Sequence, residues 1–413
     1  MNLIKLSKIW LLLVGIALAF SALYLYYTLY PGKVSPEAFK YFTPAEIDKS
    51  REYHRTSRLI YISSFLSTSL FLLWFTLGSG AIKLSRFTEK ISSGRYYISA
   101  VLFFIFFWLM LNALSLPFAL YSHIIDVKWG FSIQNMTSWW QDYLKSSLLE
   151  IAISGASTLL FFYAINRWRN WWWVAAWIFL SIMLFVQNLI WPYLIAPLFN
   201  KFTPVEDPSI LQMVEDISKN AGIHIDNVQV MDASRRTTQA NAYFYGIGKN
   251  NKIVLYDTLL KKYPQDEIKA VIAHEAAHWK ENHVLKSLLL GSVSIFIALF
   301  LLHQLLKTTI TWPYGKNLPI AALAVVYLFA FLISFDASPL QNYISRQMER
   351  QADILSVSYL HDKNSAIKLQ VDLSKKDLLD VDPPSFIEWF SYTHPSTLHR
   401  IQTIQAAKIL SQK

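Results

Sequence analysis

The chain has 413 residues, of which 54% are hydrophobic, 15% aromatic and 16% charged. Soluble domains carry about 25% charged residues, so this composition indicates a membrane protein. The formal net charge is +10, but Lys and Arg are scattered between apolar runs, which favours membrane-flanking positions and no nucleic-acid partner. The absence of cysteine excludes disulfides, cysteine-ligated metals and thiol catalysis within the chain.

Apolar runs long enough to cross about 30 Å of hydrocarbon recur along the chain. They predict seven transmembrane helices, near residues 8–30, 58–80, 97–122, 147–167, 172–197, 285–306 and 318–340. The first run is longer than the apolar part of a signal peptide and no cleavage-like site follows it, so we expect a retained span. The basic residues in the loops slightly favour an external N-terminus and an internal C-terminus.

Several polar residues lie inside the predicted spans: Asn112, Glu150, Gln187, Asn188 and Asp336. Because polar groups are costly in lipid, we expect these side chains to face a water-filled cavity. Hydrogen bonding between helices without a cavity is the alternative, and the sequence leaves both open.

The segment HEAAH, residues 274–278, carries an HExxH motif. On a helix, histidines four residues apart lie on one face, so His274 and His278 can reach the same metal ion. Glu275 projects beside them, where a carboxylate can take a proton from water on the metal. Pro264 and the acidic pair after it favour a helix start just before the motif, and we expect this helix to continue into the sixth span.

A third ligand is available in RQMERQADILS, residues 346–356. Glu349 suits a metal ligand, and Asp353, one turn later, suits an acceptor for the second N–H of a ligating histidine. Three protein ligands and an open water position are typical of a catalytic zinc site. An ordinary solvated helix face is the alternative for both acidic residues. His283 is excluded as a ligand, because on a continuous helix it falls off the ligand face.

Separate segments in the same order along the chain resemble the type I CAAX prenyl endopeptidases, integral-membrane zinc metalloproteases that process yeast a-factor and prelamin A. HtpX-type membrane proteases are more distant relatives. The similar segments are LPFALYSHIIDVKWGFSIQNMT (116–137), LIAPLFNKFTPVED (194–207), NAYFYG (241–246), HEAAHWKENH (274–283), ERQAD (349–353) and THPSTLHR (393–400). One departure is the pair Ala276-Ala277, where the family usually has a larger residue and then Gly; neither alternative is a ligand.

The resemblance implies a multi-pass α-helical membrane protein. About seven transmembrane helices would surround a water-filled chamber, capped by a gluzincin-like HExxH metalloprotease domain with a small β-sheet. By position, the resemblance implies one Zn²⁺ per chain on His274, His278 and Glu349, with Glu275 as the general base.

The resemblance also implies roles for residues outside the HExxH helix. His394 and Arg400 match the His and Arg of the HPxxxxR segment near the reacting carbonyl, and we expect His394, held by Arg400, to stabilise the developing oxyanion. Asn241, with Ala242 and Tyr243, matches the edge strand on which an extended substrate adds as a further β-strand.

Taken together, these features divide the chain into alternating membrane and protease parts. Residues 1–197 would hold five transmembrane helices, and 198–284 the protease domain with a β-hairpin and the HExxH helix. Residues 285–340 would hold the last two spans, and 341–413 the third-ligand helix and the rest of the protease domain. The turn of the hairpin is predicted at Gly246, Gly248, Lys249, Asn250 and Asn251.

The expected function is zinc-dependent endoproteolysis near the C-terminus of CAAX-type (prenylated) or amphiphilic peptides. Alternatives are an HtpX-like protease that clears misfolded membrane proteins and a polytopic transporter or sensor with a non-catalytic metal site. Expected partners are a peptide or protein substrate, lipidated or unlipidated, and membrane lipid, with the chain a monomer. The compact chain favours a bacterial plasma membrane, or the endoplasmic reticulum membrane if the host is eukaryotic.

Overall fold

The computed structural model describes residues 7–247 and 250–408. The N-terminal part consists of helices α1 (Lys8–Leu29), α2 (Pro44–Leu77), α3 (Gly80–Ile91), α4 (Tyr96–Lys128), α5 (Met136–Arg167) and α6 (Trp172–Ile190). All of these except the short α3 are long and apolar enough to cross a membrane. The span that begins with α6 continues through a π-helical turn, Trp191–Ile195, and a 3₁₀ turn, Ala196–Leu198.

Helix α2 begins before the apolar run and ends inside the predicted span. A capping box starts it, because Thr43 Oγ1 accepts from the N–H of Glu46 and the Glu46 carboxylate accepts from the N–H of Thr43. At its end, a Cβ on Gly78 would lie 2.5 Å from the carbonyl oxygen of Trp74. The predicted span, 58–80, extends beyond the end of α2 at Leu77, because the apolar composition of the sequence continues after the helix ends.

The rest of the described chain contains four strands and nine α-helices. They are β1 (Phe202–Pro204), α7 (Pro208–Ala221), β2 (Asn227–Met231), β3 (Ala242–Ile247), β4 (Asn250–Tyr256), α8 (Asp257–Lys262), α9 (Gln265–Lys280), α10 (His283–Thr309), α11 (Ala322–Asp336), α12 (Ser338–Leu360), α13 (Lys363–Lys376), α14 (Ser385–Ser391) and α15 (Thr397–Ala406). The strands form one sheet in the order β1-β2-β4-β3, with β2 and β4 parallel and the other pairs antiparallel. Strand β3 is therefore an edge strand.

The predicted hairpin is present as β3 and β4, with a shorter turn than expected. Gly246 pairs with Asn251 and Ile247 pairs with Asn250, so part of the predicted turn lies within the strands. Gly246 has a φ of 133°, a backbone conformation that favours glycine. Residues 248 and 249 lie outside the described part of the chain.

The last two predicted spans differ from each other in form. Helix α10 is long and apolar enough to cross a membrane by itself, whereas α11 has only 15 residues. Helix α11 meets α12 at an angle of 47°, so the predicted seventh span, 318–340, is the first part of a bent helix pair. Helix α12 then packs along α9, the helix that carries the HExxH motif.

A cavity of about 890 Å³ lies between α2, α4, α5 and α11. Asn112 and Glu150 line it together with several serines, as expected for polar residues in the spans. Asn188 lines a second cavity, at the site described below. Gln187 and Asp336 line neither of these cavities. The predicted fold class is confirmed: apolar helices form a membrane bundle, beside which a small mixed sheet lies with the HExxH helix.

Candidate active site

The HExxH helix, α9, is positioned by its N-terminus and by its small buried residues. Pro264 precedes its first residue, and Asp266 and Glu267 lie in its first turn, where negative charge is favourable. Ala276 and Ala277 are fully buried. Small side chains at these two positions allow close packing of α9 against its neighbours. Alanine is therefore compatible with the motif at both positions.

Three potential ligand atoms converge where α9 meets α12. His274 Nε2 lies 3.1 Å from His278 Nε2, and Glu349 oxygens lie 3.3 Å and 3.4 Å from these two nitrogens. Ligands at about 2.0–2.1 Å from a tetrahedral ion would be separated by about 3.3–3.4 Å. Among the described residues, this is the one group of three His, Cys, Asp or Glu side chains with metal-binding geometry.

The buried carboxylate of Glu349 supports the same interpretation. Its Oε2 atom is buried and has no assigned hydrogen-bond partner among the described residues, although His274 Nε2 lies 3.3 Å away. A buried oxygen without a partner is costly, and a cation between the three side chains would satisfy it. The residues present therefore fit a bound metal ion.

Asp353 and Arg400 hold His274 from behind. His274 Nδ1 lies 3.1 Å from Asp353 Oδ1, so an N–H there leaves Nε2 free as a ligand. Arg400 donates two hydrogen bonds to the Asp353 carboxylate, at 2.6 Å and 2.9 Å. This bidentate geometry fixes the orientation of the carboxylate. The described hydrogen bonds of Arg400 thus lie on the His274 side, and none joins it to His394, which we expected it to hold.

His283 supports the second histidine of the motif, a contact that the helical spacing of the sequence did not predict. Helix α9 ends at Lys280 instead of continuing into the sixth span, and Asn282 has a left-handed φ of 53°. This break places His283 Nδ1 3.0 Å from His278 Nδ1, with His283 Nε2 3.2 Å from Gln351 Oε1. With the Nε2 atom of His278 reserved for a ligand role, its Nδ1–H donates to His283, which in turn donates to Gln351.

Glu275 faces a cavity of about 550 Å³ that contains the three potential ligands. Burial raises the pKa of the Glu275 carboxyl above its usual value, while His274 and His278 act in the opposite direction. A carboxylate with a raised pKa beside a cavity is suited to accepting and returning a proton.

The remaining predicted site residues lie on other walls of this cavity. His394 lines it, with Nε2 3.4 Å from Glu349 Oε1 and about half of its side chain exposed. Asn241, Ala242 and Tyr243 line the cavity along β3, whose outer edge has no partner strand in the described sheet. The structure thus brings all the predicted site residues to one cavity or directly behind it.

Comparison with known proteins places both halves of the chain in one family. Residues 26–201 match the family model described as CAAX prenyl protease N-terminal, five membrane helices. Residues 204–408 match the model of peptidase family M48.

Individual relatives agree with these matches. The chain is 30% identical to a CAAX prenyl protease 1 homolog of Arabidopsis thaliana, covering 90% of this chain and 88% of that protein. It is 29% identical to the uncharacterized metalloprotease YhfN of Bacillus subtilis, covering 95% and 96% of the two chains. The crystal structure of Ste24p from S. mikatae superimposes with a TM-score of 0.84 at 25% identity, covering 97% of this chain and 99% of that one.

These matches confirm the predicted resemblance and the predicted enzyme class, and they exclude the transporter or sensor alternative. Five helices of the N-terminal part and α10 agree with a multi-pass location in the membrane. The chain belongs to peptidase family M48, with the CAAX prenyl proteases, and is an integral-membrane metalloendopeptidase.

Proposed function

We propose that this protein is a zinc endopeptidase that cleaves near the C-terminus of CAAX-type or other amphiphilic peptides. The observation that carries this proposal is the triangle of His274, His278 and Glu349 in a cavity beside an unpaired edge strand.

Two imidazoles and one carboxylate are a donor set typical of catalytic zinc, with a fourth position open. When bound, zinc supplies a Lewis acid that polarises the scissile carbonyl and increases the acidity of water. His274, His278 and Glu349 would hold the ion. Asp353 and His283 would orient the two imidazoles through their Nδ1 atoms.

The proton transfers fall to Glu275. Its carboxylate accepts a proton from the attacking water and delivers it to the leaving amine. His394, whose Nε2 atom lies 3.4 Å from Glu349 Oε1, supplies a hydrogen-bond donor where negative charge develops on the carbonyl oxygen. Thr393 Oγ1 lies 2.9 Å from His394 Nδ1 and can accept its N–H or donate to it, which restrains the ring.

Strand β3 would bind the substrate backbone. An extended peptide placed along Asn241, Ala242 and Tyr243 adds a strand to the sheet, so its affinity depends little on sequence. The same cavity has an apolar wall from α6 and α10, formed by Phe185, Leu189, Leu285 and Leu288. A peptide that carries a lipid or a long apolar side chain fits this combination of polar floor and apolar wall.

We expect His283→Ala to weaken zinc binding by about 10–100-fold, the usual effect of removing the partner of a ligating histidine. The change leaves His278 Nδ1 without its acceptor, so the ring loses its fixed orientation. Competition with a zinc-chelating dye would measure the dissociation constant. The matched control is His361→Asn, because His361 is exposed and Asn tolerates its left-handed φ of 56°. Equal zinc affinity in the wild type and His283→Ala would contradict the orienting role.

A farnesylated peptide should be cleaved with a kcat/KM at least about 100-fold above that of its unlipidated form, because each buried CH₂ contributes about 0.8 kcal/mol. Leu288→Trp should narrow the apolar wall and reduce this preference by at least about tenfold. Both substrates would be compared in the same detergent micelles by mass spectrometry of the products.

Leu289→Trp is the matched control, because Leu289 is the next residue on α10 and is 53% exposed. Equal rates for the two peptides would reject a lipid requirement and favour the broader HtpX-like protease. A preference that persists in Leu288→Trp would place the lipid elsewhere. Neither outcome affects the zinc mechanism, which cleavage of the unlipidated peptide tests separately.

A further inference from the structure

The buried cation Arg346 has no part in the chemistry described above. It lies on α12, three residues before Glu349, and only 6% of its surface is exposed. Its guanidinium donates to the carbonyl oxygens of Glu388 and Tyr392, at 2.8 Å and 2.6 Å, and to that of Trp389 at 3.3 Å. No ion pair of Arg346 with a carboxylate occurs among the described residues.

These carbonyls belong to the C-terminal end of α14. The carbonyl of Glu388 also accepts from the N–H of Tyr392, at 3.2 Å. The last carbonyl groups of a helix carry partial negative charge that a cation stabilises. Tyr392 is the residue that follows the helix, two positions before His394. Arg346 therefore fixes the start of the loop that carries His394.

The same loop is held at its other end and from the membrane side. The Glu388 carboxylate accepts from the backbone N–H of Ser396, at 3.1 Å. The hydroxyl of Tyr392 accepts a 2.8 Å hydrogen bond from Arg58, a buried residue of the membrane helix α2. Arg58 is also paired with Asp380, at 2.7 Å. The loop at residues 392–396 is thus clamped between α12, α14 and α2.

We propose that Arg346 is a positioning residue for peptide hydrolysis, which sets the location of His394 relative to the reacting carbonyl. This inference rests on the proposed role of His394. A buried cation without a carboxylate partner is costly to fold around, and an apolar side chain of similar volume avoids that cost. Helix α12 would therefore position two residues of the site. It carries the ligand Glu349 itself, and it positions His394 through Arg346.

The first test compares Arg346→Met and Arg346→Lys with the wild-type protein in detergent, using an unlipidated peptide. Because a displacement of about 1 Å in a catalytic group costs about 100-fold in rate, we expect Arg346→Met to lower kcat about 10–100-fold. KM should stay within about twofold and zinc content should be unchanged, since neither β3 nor the ligands move. Arg346→Lys should recover part of kcat, because an ammonium can still reach one or two of the carbonyls.

Arg350→Met is the matched control, since Arg350 lies on the same helix but is exposed. Its kcat should equal that of the wild type. Equal kcat in Arg346→Met and the wild type would overturn the proposal. If Arg346→Met does not fold, as judged by its melting temperature, then Arg346→Gln is used in its place, because it removes the charge and most of the donors, and a wild-type kcat in that variant would overturn the proposal.

A double-mutant cycle separates positioning of His394 from a general structural role. If Arg346 acts through His394, the Arg346 change should lower kcat by less than about twofold in a His394→Ala background. A full 10–100-fold loss in that background would show that Arg346 acts by another route. A wild-type kcat in His394→Ala alone would instead contradict the proposed role of His394, and this inference with it.

Discussion

Replacing Glu275 with glutamine is expected to lower kcat for peptide cleavage by at least about 10³-fold, within the range that general acid–base catalysis contributes. Glutamine keeps the shape of the side chain but cannot accept the proton of the attacking water at neutral pH. Zinc content should stay at one ion per chain, because His274, His278 and Glu349 are unchanged. KM should also change little, since the edge strand β3 is not altered.

This prediction is checked by measuring product formation and metal content on the same purified sample. Asp266→Asn is the matched control, because Asp266 lies in the first turn of the same helix and its partly exposed carboxylate pairs with Lys368 outside the cavity. Residual cleavage within about tenfold of the wild type would move the general base to another group. Loss of zinc in Glu275→Gln would instead assign a structural role to this carboxylate.

The HExxH helix shows how far local spacing alone can predict a site. Histidines at positions i and i+4 of any α-helix share a face, so the approach of His274 to His278 follows from the motif and helix geometry. The contribution of Glu349 does not follow in this way, because it lies 75 residues after His274 along the chain. The similarity of ERQAD to a family motif indicated it, and packing of α12 along α9 brings it to the two histidines.

The contact between His278 and His283 could not be obtained from helix periodicity. Five residues apart on a continuous helix, these rings would point in different directions. The left-handed Asn282 ends α9 and starts α10 in a new direction, which brings the two rings together. A sequence signal existed, since Asn adopts this conformation more readily than most residues, but apolar character continuing after Leu285 favoured an unbroken helix.

Other differences also arise from long-range packing. Arg400 was expected to hold His394, because the HPxxxxR segment contains both, but its guanidinium donates to Asp353 on α12. Likewise, composition predicted a seventh span near residues 318–340 but not the bend of 47° between α11 and α12. Neither a bidentate ion pair nor a bend can be predicted from a short stretch of sequence, because each depends on which distant element packs against that stretch.

The break at Asn282 also connects the protease site to the membrane. On one side of it, α9 supplies His274, Glu275 and His278, and on the other, α10 begins an apolar span. The first turns of α10 contribute Leu285 and Leu288 to the cavity that contains Glu275. A substrate with both peptide and apolar parts would therefore meet the catalytic groups and the membrane helices within one cavity.

Removing the third ligand should have the other large effect. We expect Glu349→Ala to weaken zinc binding by at least about 100-fold, more than the 10–100-fold typical for residues that only orient a ligand. Cleavage should be lost, because two histidines alone do not hold the ion in a fixed position. Zinc per chain would be measured by elemental mass spectrometry after dialysis against a metal-free buffer.

Thermal unfolding with and without a chelator gives an independent readout of this ligand. Metal that binds only the folded state stabilises it by RT ln(1 + [L]/Kd), about 4.1 kcal/mol when the free ion is at 1,000 times Kd. Adding a chelator should therefore lower the melting temperature of the wild type and leave that of Glu349→Ala unchanged. Exposed Glu215 offers the control, since Glu215→Ala removes a surface ion pair with Lys219 and should keep both zinc and the chelator response. Full zinc occupancy in Glu349→Ala would require another third ligand, and His394, 3.4 Å from the Glu349 carboxylate, is the side chain placed to supply it.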